Sequence, residues 1–464
     1  MITYIKINGF KSFHNFEMEF TPFTMVAGAN ASGKSNLFDA LQLLSRLAET
    51  DNLKKAFKEQ RGEFIELFTQ YSGGTYAKDM SFCVEMLVDK AVKDAWGNET
   101  TLKYTRLRYE IKIKRIINAS GIQDLVVTHE HLENLKHSGD EWIRRIPKAV
   151  LSVWRPRFSK GGRRATPYIM TSLENQIPTV LVPQDGIRGG NKRRFPLKNA
   201  TRTVLSSFDT IDFPHVFAAK QEMMSWKFLQ LNPEDLRQPT KKDIGLDKVT
   251  ASGKNLAAVL FRIKQLDEYA LVEISRKFQT FLPNFVKVDV LDDKENNQFI
   301  IQLTDKDQKK YSSRVLSEGT LRILTLCILE YDEQHTGLLC FEEPENGIHP
   351  FKIKDMASLL RDLSIDFSDT EAHLRQVIIN THSPVLIGCV YDWMKDATTS
   401  VWYAHLTNRV TEIDGERTNF SVSSIIPVEK EGATQFSIEF PTQAKKLTIS
   451  TVQKMLSTNT TAIV

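Results

Sequence analysis

The sequence predicts an α/β fold that carries an inserted antiparallel β region and a helical lobe, without a long coiled coil. Three observations predict it. The apolar run Phe23-Thr24-Met25-Val26-Ala27 reads as a buried strand. It passes through a glycine turn into residues 36–44, where apolar side chains recur at helical spacing. Two further apolar runs, residues 337–341 and 376–379, read as buried strands that end in polar side chains. Leu107-Arg108-Tyr109-Glu110-Ile111-Lys112-Ile113 alternates with period two, as a strand of an antiparallel sheet does.

The turn after the first strand is Gly28-Ala29-Asn30-Ala31-Ser32-Gly33-Lys34-Ser35. It meets the pattern G-x-x-x-x-G-K-[ST] at every fixed position. A strand, a glycine turn and a helix N-terminus make an anion cradle. The glycines let backbone N–H groups converge on phosphate, and the helix dipole adds a favourable field. In this pattern Lys34 reaches the β- and γ-phosphates and Ser35 holds Mg²⁺. The full pattern in its strand–helix context argues against a Gly/Ser-rich turn with no ligand.

A chain of 464 residues can bury one large core and a second lobe, or two to three domains. At 41% hydrophobic and 25% charged residues it has the composition of an ordinary soluble globular protein. No apolar run approaches the roughly 18–20 residues of a membrane span, and the N-terminus lacks a signal-peptide pattern. A cytoplasmic location without membrane contact is therefore expected. Cys83, Cys327, Cys340 and Cys389 are scattered, and they read as thiols of a reducing compartment rather than a disulfide frame or metal cluster. The net charge of +4 is too small to name a partner.

In chain order, residues 1–20 read as two strands around Asn8-Gly9-Phe10-Lys11-Ser12. The helix after Ser35 is expected to run to about Glu49, and a second helical stretch to cover residues 53–68. Strands at 80–88 and 102–116 form an antiparallel sheet beside the core. From 142 to 202 the composition shifts, with 14 Lys/Arg against two acidic residues, Glu174 and Asp185. Gly161-Gly162 and Gly189-Gly190 lie beside Arg163-Arg164 and Lys192-Arg193-Arg194, so two glycine-hinged basic loops are expected within 144–203. They contact a phosphate backbone or an acidic partner, or they are solvated surface. Trp154 and Phe158 either stack on bases or pack under the loop. Residues 255–281 have a helical pattern, with Ser252-Gly253-Lys254-Asn255 as a helix start rather than a second phosphate loop. Residues 285–303 read as strands.

Three later stretches extend the nucleotide reading. Leu316-Ser317-Glu318-Gly319-Thr320 precedes an apolar helix, so a serine and a glycine mark a second helix N-terminus suited to an anion. One nucleotide per chain needs no second such site, unless that site serves a neighbouring molecule. The run Gly337-Leu338-Leu339-Cys340-Phe341-Glu342-Glu343 is a strand ending in two carboxylates. Glu342 is placed to bind Mg²⁺ through water and Glu343 to polarise an attacking water. Gln376-Val377-Ile378-Ile379-Asn380-Thr381-His382 is another strand, ending in an imidazole that can bond a γ-phosphate oxygen.

These motifs together resemble the ABC-type ATPases of the SMC/RecF/OLD branch. Residues 8–13 resemble that family's opening strand and turn, 28–35 its Walker A, 316–320 its signature and 338–343 its Walker B. Residues 344–350 resemble the D-loop of the OLD-like members, and His382 the switch histidine. The resemblance covers residues 1–50 and 250–405 and implies a P-loop ABC-ATPase head. It implies that Lys11, Gly28, Asn30, Ser32, Gly33, Lys34, Ser35 and Asn36 hold ATP, with Ser317 and Gly319 serving a partner's nucleotide. Ser35 and Glu342 are its expected Mg²⁺ ligands, Glu343 and His382 its catalytic pair. Glu342 departs from the family's more usual Asp, and no glutamine is assigned to its Q-loop.

The gap from Lys34 to Ser317 is 283 residues. It contains Pro147, Pro178, Pro214 and Pro233 and no sustained heptads, which excludes the long arm of SMC and Rad50 proteins. After His382 no clustered acidic triad marks the Toprim nuclease domain of OLD proteins. The expected division is 1–70 (first part of the head), 71–250 (inserted β and basic region), 251–405 (helical lobe and rest of the head) and 406–464 (extension). The chain thus resembles the stand-alone ATPase subunits of anti-phage systems, of the Septu PtuA and PARIS AriA types. That resemblance implies a homodimer or higher oligomer through shared ATP sites, and a separate nuclease effector. The alternative is a RecF-like repair ATPase acting directly on DNA. A transporter subunit is disfavoured by the 10–13 opening and the large insertion.

Overall fold

The computed structural model describes residues 1–156, 166–184, 192–243, 248–413, 416–429 and 447–461. Its centre is a seven-stranded sheet. The order is Lys227–Leu229, Gly337–Glu342, Arg375–Thr381, Phe23–Gly28, Thr399–Ile413, Glu416–Glu429 and Leu447–Thr448. The first five strands are parallel, and Glu416–Glu429 returns antiparallel. Phe23–Gly28 is buried along its whole length, as a central parallel strand covered on both faces must be. Register brings the carboxyl ends together, because Glu342 pairs with Asn380 and Thr381 with Ala27. In an open α/β sheet, that rim is where ligands bind.

One core fills the face between the helix Lys34–Glu49 and a five-stranded antiparallel sheet. That sheet runs Phe16–Glu19, Ile2–Asn8, Asp79–Leu87, Arg106–Ile117 and Gln123–Asn134. Asp79–Leu87 buries alternate residues, as the sequence period requires. A second core on the other face gathers the helices Glu318–Tyr331 and Ile353–Asp362 with the lobe formed by Leu256–Leu266, Glu268–Phe281 and the hairpin Phe285–Asp293/Gln298–Asp305. The expected α/β head with an antiparallel insertion and a helical lobe is therefore the observed fold, and no long coiled coil occurs among the described residues.

Three expectations need adjustment. The helical stretch 53–68 is a short helix, Leu53–Lys58, and a separate 3₁₀ turn, Phe64–Leu67. Gly62 lies between them at φ 95, in the turn that follows the helix and separates the two. The strands expected at 400–405 and 410–413 are one strand, Thr399–Ile413. Its middle, Thr407-Asn408-Arg409, is polar because there it pairs only with Val422, Ser421 and Phe420 of the return strand. The boundary expected between 405 and 406 falls inside that strand. The helix Ile449–Thr461 also packs on the second core, through Val452 and Leu456.

The basic region differs as well. Arg193 and Arg194 lie on a strand, Lys192–Pro196, paired with Ile177–Pro183, and not in a glycine-hinged loop. Arg193 stacks its guanidinium 4.9 Å from the centre of the Phe213 ring, and Arg194 pairs with Glu174 at 3.3 Å. Pairing with an apolar neighbour strand fixes this segment. Arg163, Arg164, Phe158 and the two glycine pairs lie outside the described residues. Trp154 is buried and donates its indole N–H to Phe367 O at 2.9 Å, so it packs under the region rather than facing a base.

Candidate nucleotide site

The first wall of the site is the turn that follows Phe23–Gly28. Gly33, at φ 91, is the last residue before the helix Lys34–Glu49. A Cβ there would overlap the Ser423 hydroxyl of the return strand, so both the turn and the close approach require glycine. Ser423 Oγ lies 2.6 Å from Ser12 Oγ, which accepts Asn36 Nδ2 at 2.7 Å. The C-terminal hairpin thus braces the phosphate loop from behind.

Lys34 is 6% exposed and donates from Nζ to the carbonyls of Gly28 and Ala29, each at 2.8 Å. Burial pulls its amine below the ordinary lysine range, against the pull of Glu343, Glu345 and Glu342. Ser32 Oγ is buried and has no hydrogen-bond partner among the described residues. A cation held only by carbonyls beside an unpartnered hydroxyl fits a polyphosphate, which would satisfy both.

Opposite the loop stand Glu342, Glu343 and Asn380, enclosing with residues 30–36 a cavity of about 220 Å³. Glu342 accepts Asn380 Nδ2 at 3.4 Å and lies 3.8 Å from Arg61. Together with Ser35 it offers oxygen donors of the kind Mg²⁺ takes beside phosphate. Glu343 has φ 45, and its N–H donates to Asn380 O at 3.1 Å and Oδ1 at 3.0 Å. Its carboxylate accepts Asn346 Nδ2 at 2.9 Å on one oxygen and lies 2.9 Å from His382 Nδ1 on the other. Burial raises this carboxyl, but Asn346, His382 and Lys34 outweigh it and hold it below the ordinary range.

The structure therefore gathers Asn30, Ser32, Gly33, Lys34, Ser35, Asn36, Glu342 and Glu343 around one cavity, with His382 attached through Glu343. Gly28 lies behind the loop, its carbonyl holding Lys34. Lys11 does not line the cavity: its amine is committed to the buried Asp39 at 2.6 Å. Ser317 and Gly319 do not line it either. Ser317 caps its own helix, accepting Thr320 N–H at 3.3 Å, and a Cβ on Gly319 would overlap the Gly347 carbonyl.

Sequence reasoning missed four residues here. Arg61 binds Asp39 through Nε at 3.0 Å and Nη2 at 2.7 Å while standing beside Glu342. Asn380 clamps both strand ends, and Asn346 holds Glu343. Gln230 follows Leu229, which pairs with Phe341, so it leaves its strand at the level of Glu342. Only Asn380 had a signal, its place just before Thr381-His382. The strand before Gln230 is three residues long, too short for any period to register.

This arrangement agrees with a family profile described as "AAA domain, putative AbiEii toxin, Type IV TA system", which matches residues 23–388. The chain belongs to that family. A search of curated proteins found no match. Among solved structures, similar chains include a structure described as the SmcHead bound to the C-winged helix domain of ScpA. It is 14% identical, with 93% of this chain and 99% of that one covered and a TM-score of 0.48. An SMC head domain from Thermotoga maritima is 12% identical, with 92% and 99% covered and a TM-score of 0.37. A Pyrococcus yayanosii Smc head domain with a coiled coil and joint is 10% identical, with 99% of each chain covered and a TM-score of 0.43. No helix among the described residues is long and apolar enough to cross a membrane.

Proposed function

We propose that this AAA-domain chain binds and hydrolyses ATP with Mg²⁺ at a site completed by a second copy, and that engagement gates a separate effector. One observation carries the reading. Lys34, Ser35, Glu342 and Glu343 share a cavity, whereas Ser317 and Gly319, the other anion-binding turn, stand outside it in the same chain. Ser317 is exposed, and so free to meet a partner's nucleotide. Lys34, Ser32 and the N–H groups of residues 33–36 would hold the phosphates, and Ser35 and Glu342 the metal. Bound Mg²⁺ supplies positive charge to the phosphates. Glu343, kept ionised, takes the proton of the attacking water, and His382 steadies its carboxylate.

A nuclease effector in anti-phage defence is the partner suggested by the resemblance to stand-alone ATPase subunits. Direct action on DNA, with the basic region as the contact, has less support, since Arg193 and Arg194 are engaged within the chain.

The test uses two defective chains. Ser317→Arg should leave ATP binding intact and stop turnover by blocking engagement. Mixed with Glu343→Gln chains, it should regain activity, because one pairing joins an intact catalytic half to a normal Ser317. Full turnover by Ser317→Arg alone, at any protein concentration, would remove the shared site. Retention of a co-expressed nuclease that does not change between the ATP-free chain and ATP-loaded Glu343→Gln would remove the gating.

A further inference from the structure

Glu345 stands two residues beyond Glu343 and is not part of the cavity wall. Its side chain is buried. Oε1 accepts the Thr381 hydroxyl, and Oε2 has no partner among the described residues. Thr381 Oγ1 also accepts the Ser383 N–H at 2.9 Å. Ser383 in turn caps the helix Pro384–Val390, accepting Leu386 N–H at 3.3 Å. His382 lies between Thr381 and Ser383 and reaches back to Glu343. The Glu345 carboxyl therefore also joins the loop that carries Glu343 to the turn that carries His382.

That junction needs an anchor. Glu343 occupies a left-handed conformation that a side chain rarely adopts, and Asn380 and Asn346 hold it there. Neither bond restrains His382, whose side chain is 43% exposed. A half-exposed side-chain contact is too weak to fix a ring by itself. We propose that Glu345, acting through the Thr381 hydroxyl, is a positioning residue that holds His382 in register with Glu343. The proposal rests on the assignment of Glu343 as general base given above.

The chemistry of the carboxyl fits the role. Burial pushes it above the ordinary carboxylate range, with Thr381 and His382 opposing and Glu343 adding to the rise. Lys34 also faces it. Oε1 has only to accept one hydroxyl hydrogen bond here. An amide accepts that bond equally well, and a methyl group does not.

Glu345→Ala and Thr381→Val are therefore expected to lower kcat about tenfold to a hundredfold, as a misplaced catalytic pair does, with KM and ATP affinity unchanged. Glu345→Gln and Thr381→Ser should restore turnover, and the Ala/Val double variant should be no worse than the weaker single. An independent arm follows the His382 ring by NMR of histidine-labelled protein, its signal identified by loss in His382→Gln. The signal should move in the Ala and Val variants and stay in Gln and Ser. If Glu345→Ala does not fold, Thr381→Val, which removes one hydroxyl, carries the comparison. Wild-type turnover in Thr381→Val with an unmoved His382 signal overturns the proposal. So does a fall in affinity that tracks turnover while that signal stays in place. Should the wild-type chain itself turn over no ATP, the general-base reading fails. The His382 signal in Thr381→Val then decides the positioning role alone.

Discussion

At the rim of the parallel sheet Lys34 is buried with two carbonyls for partners, beside a serine hydroxyl that has none. In the inserted antiparallel sheet Arg106 is buried as deeply, yet it is surrounded. Its Nε donates to Asp140 at 3.0 Å, its Nη1 to Thr3 at 2.6 Å, and Trp142 covers its face at 5.1 Å. Arg155 pairs with the same Asp140 at 2.8 Å. Both regions bury cations at a desolvation cost. Only the insert recovers that cost within the chain; the rim leaves it to be recovered by something bound. Degree of satisfaction, not burial, separates a binding charge from a structural one. Substitutions at the rim should therefore cost function and spare the fold, and those in the insert should do the reverse.

The largest expected effect is at Lys34. Lys34→Ala removes the one ammonium in the loop, and nucleotide retention should be abolished while the melting temperature holds or rises, since a poorly satisfied buried cation is gone. Equilibrium binding of labelled ATP and a thermal melt check this. Wild-type affinity would remove the site, and a collapse in stability would break the comparison. Next is Glu343→Gln, which keeps shape and hydrogen-bonding capacity but cannot take a proton. Turnover should fall by about 10²–10⁴-fold with ATP still bound. Single-turnover kinetics on the loaded chain give the measurement.

In the insert the sign reverses. Asp140→Ala strands Arg106 and Arg155 without their shared carboxylate, and loss of one partner from a buried pair costs about 3–5 kcal/mol. A denaturant midpoint should drop accordingly. ATP affinity, measured where the variant remains folded, should not change. An Asp140→Ala chain of normal stability that no longer binds ATP would mean the two regions are not separable in this way.

The rim was legible in the sequence because its residues are constrained by chemistry at fixed spacing. A phosphate loop needs Gly33 and Lys34 next to one another, and Glu342-Glu343 must end an apolar strand. Arg61 and Asn346 were not legible, because they act through side chains whose meeting depends on a loop path that no period encodes. The insert was legible as alternation in residues 107–113. So was its neighbour at 80–88, whereas the strand Gln123–Asn134 and the Arg106–Asp140–Arg155 cluster were not, since the cluster joins positions 34 and 15 residues apart in the chain. The basic stretch shows the limit of composition. Charge count could not distinguish Arg193, stacked on Phe213 in a strand, from a solvated loop arginine.

The smallest effect expected is also the one that tests the insert without dismantling it. Glu130 is fully buried on Gln123–Asn134. It accepts Val204 N–H at 2.6 Å, Leu205 N–H at 2.7 Å and the Tyr109 hydroxyl at 3.0 Å. Burial still pushes its carboxyl up to about 7, because the hydrogen bonds from Val204, Leu205 and Tyr109 offset the loss of water only in part. In the unfolded chain it titrates near its ordinary value of 4.5. Between those values the folded chain binds the extra proton, so this group's contribution is most favourable below 4.5 and is lost as pH rises towards 7. The loss amounts to about 3 kcal/mol at most. Glu130→Gln cannot ionise, and it turns an amide N–H towards a backbone N–H, so it should start less stable at pH 5. It should then lose less than wild type on going to pH 8. Urea midpoints for both chains at the two pH values make the comparison, with ATP affinity as the control that should not move. Parallel slopes would show that Glu130 keeps one protonation state throughout. A change in ATP affinity would show that the insert's buried charge reaches the rim after all.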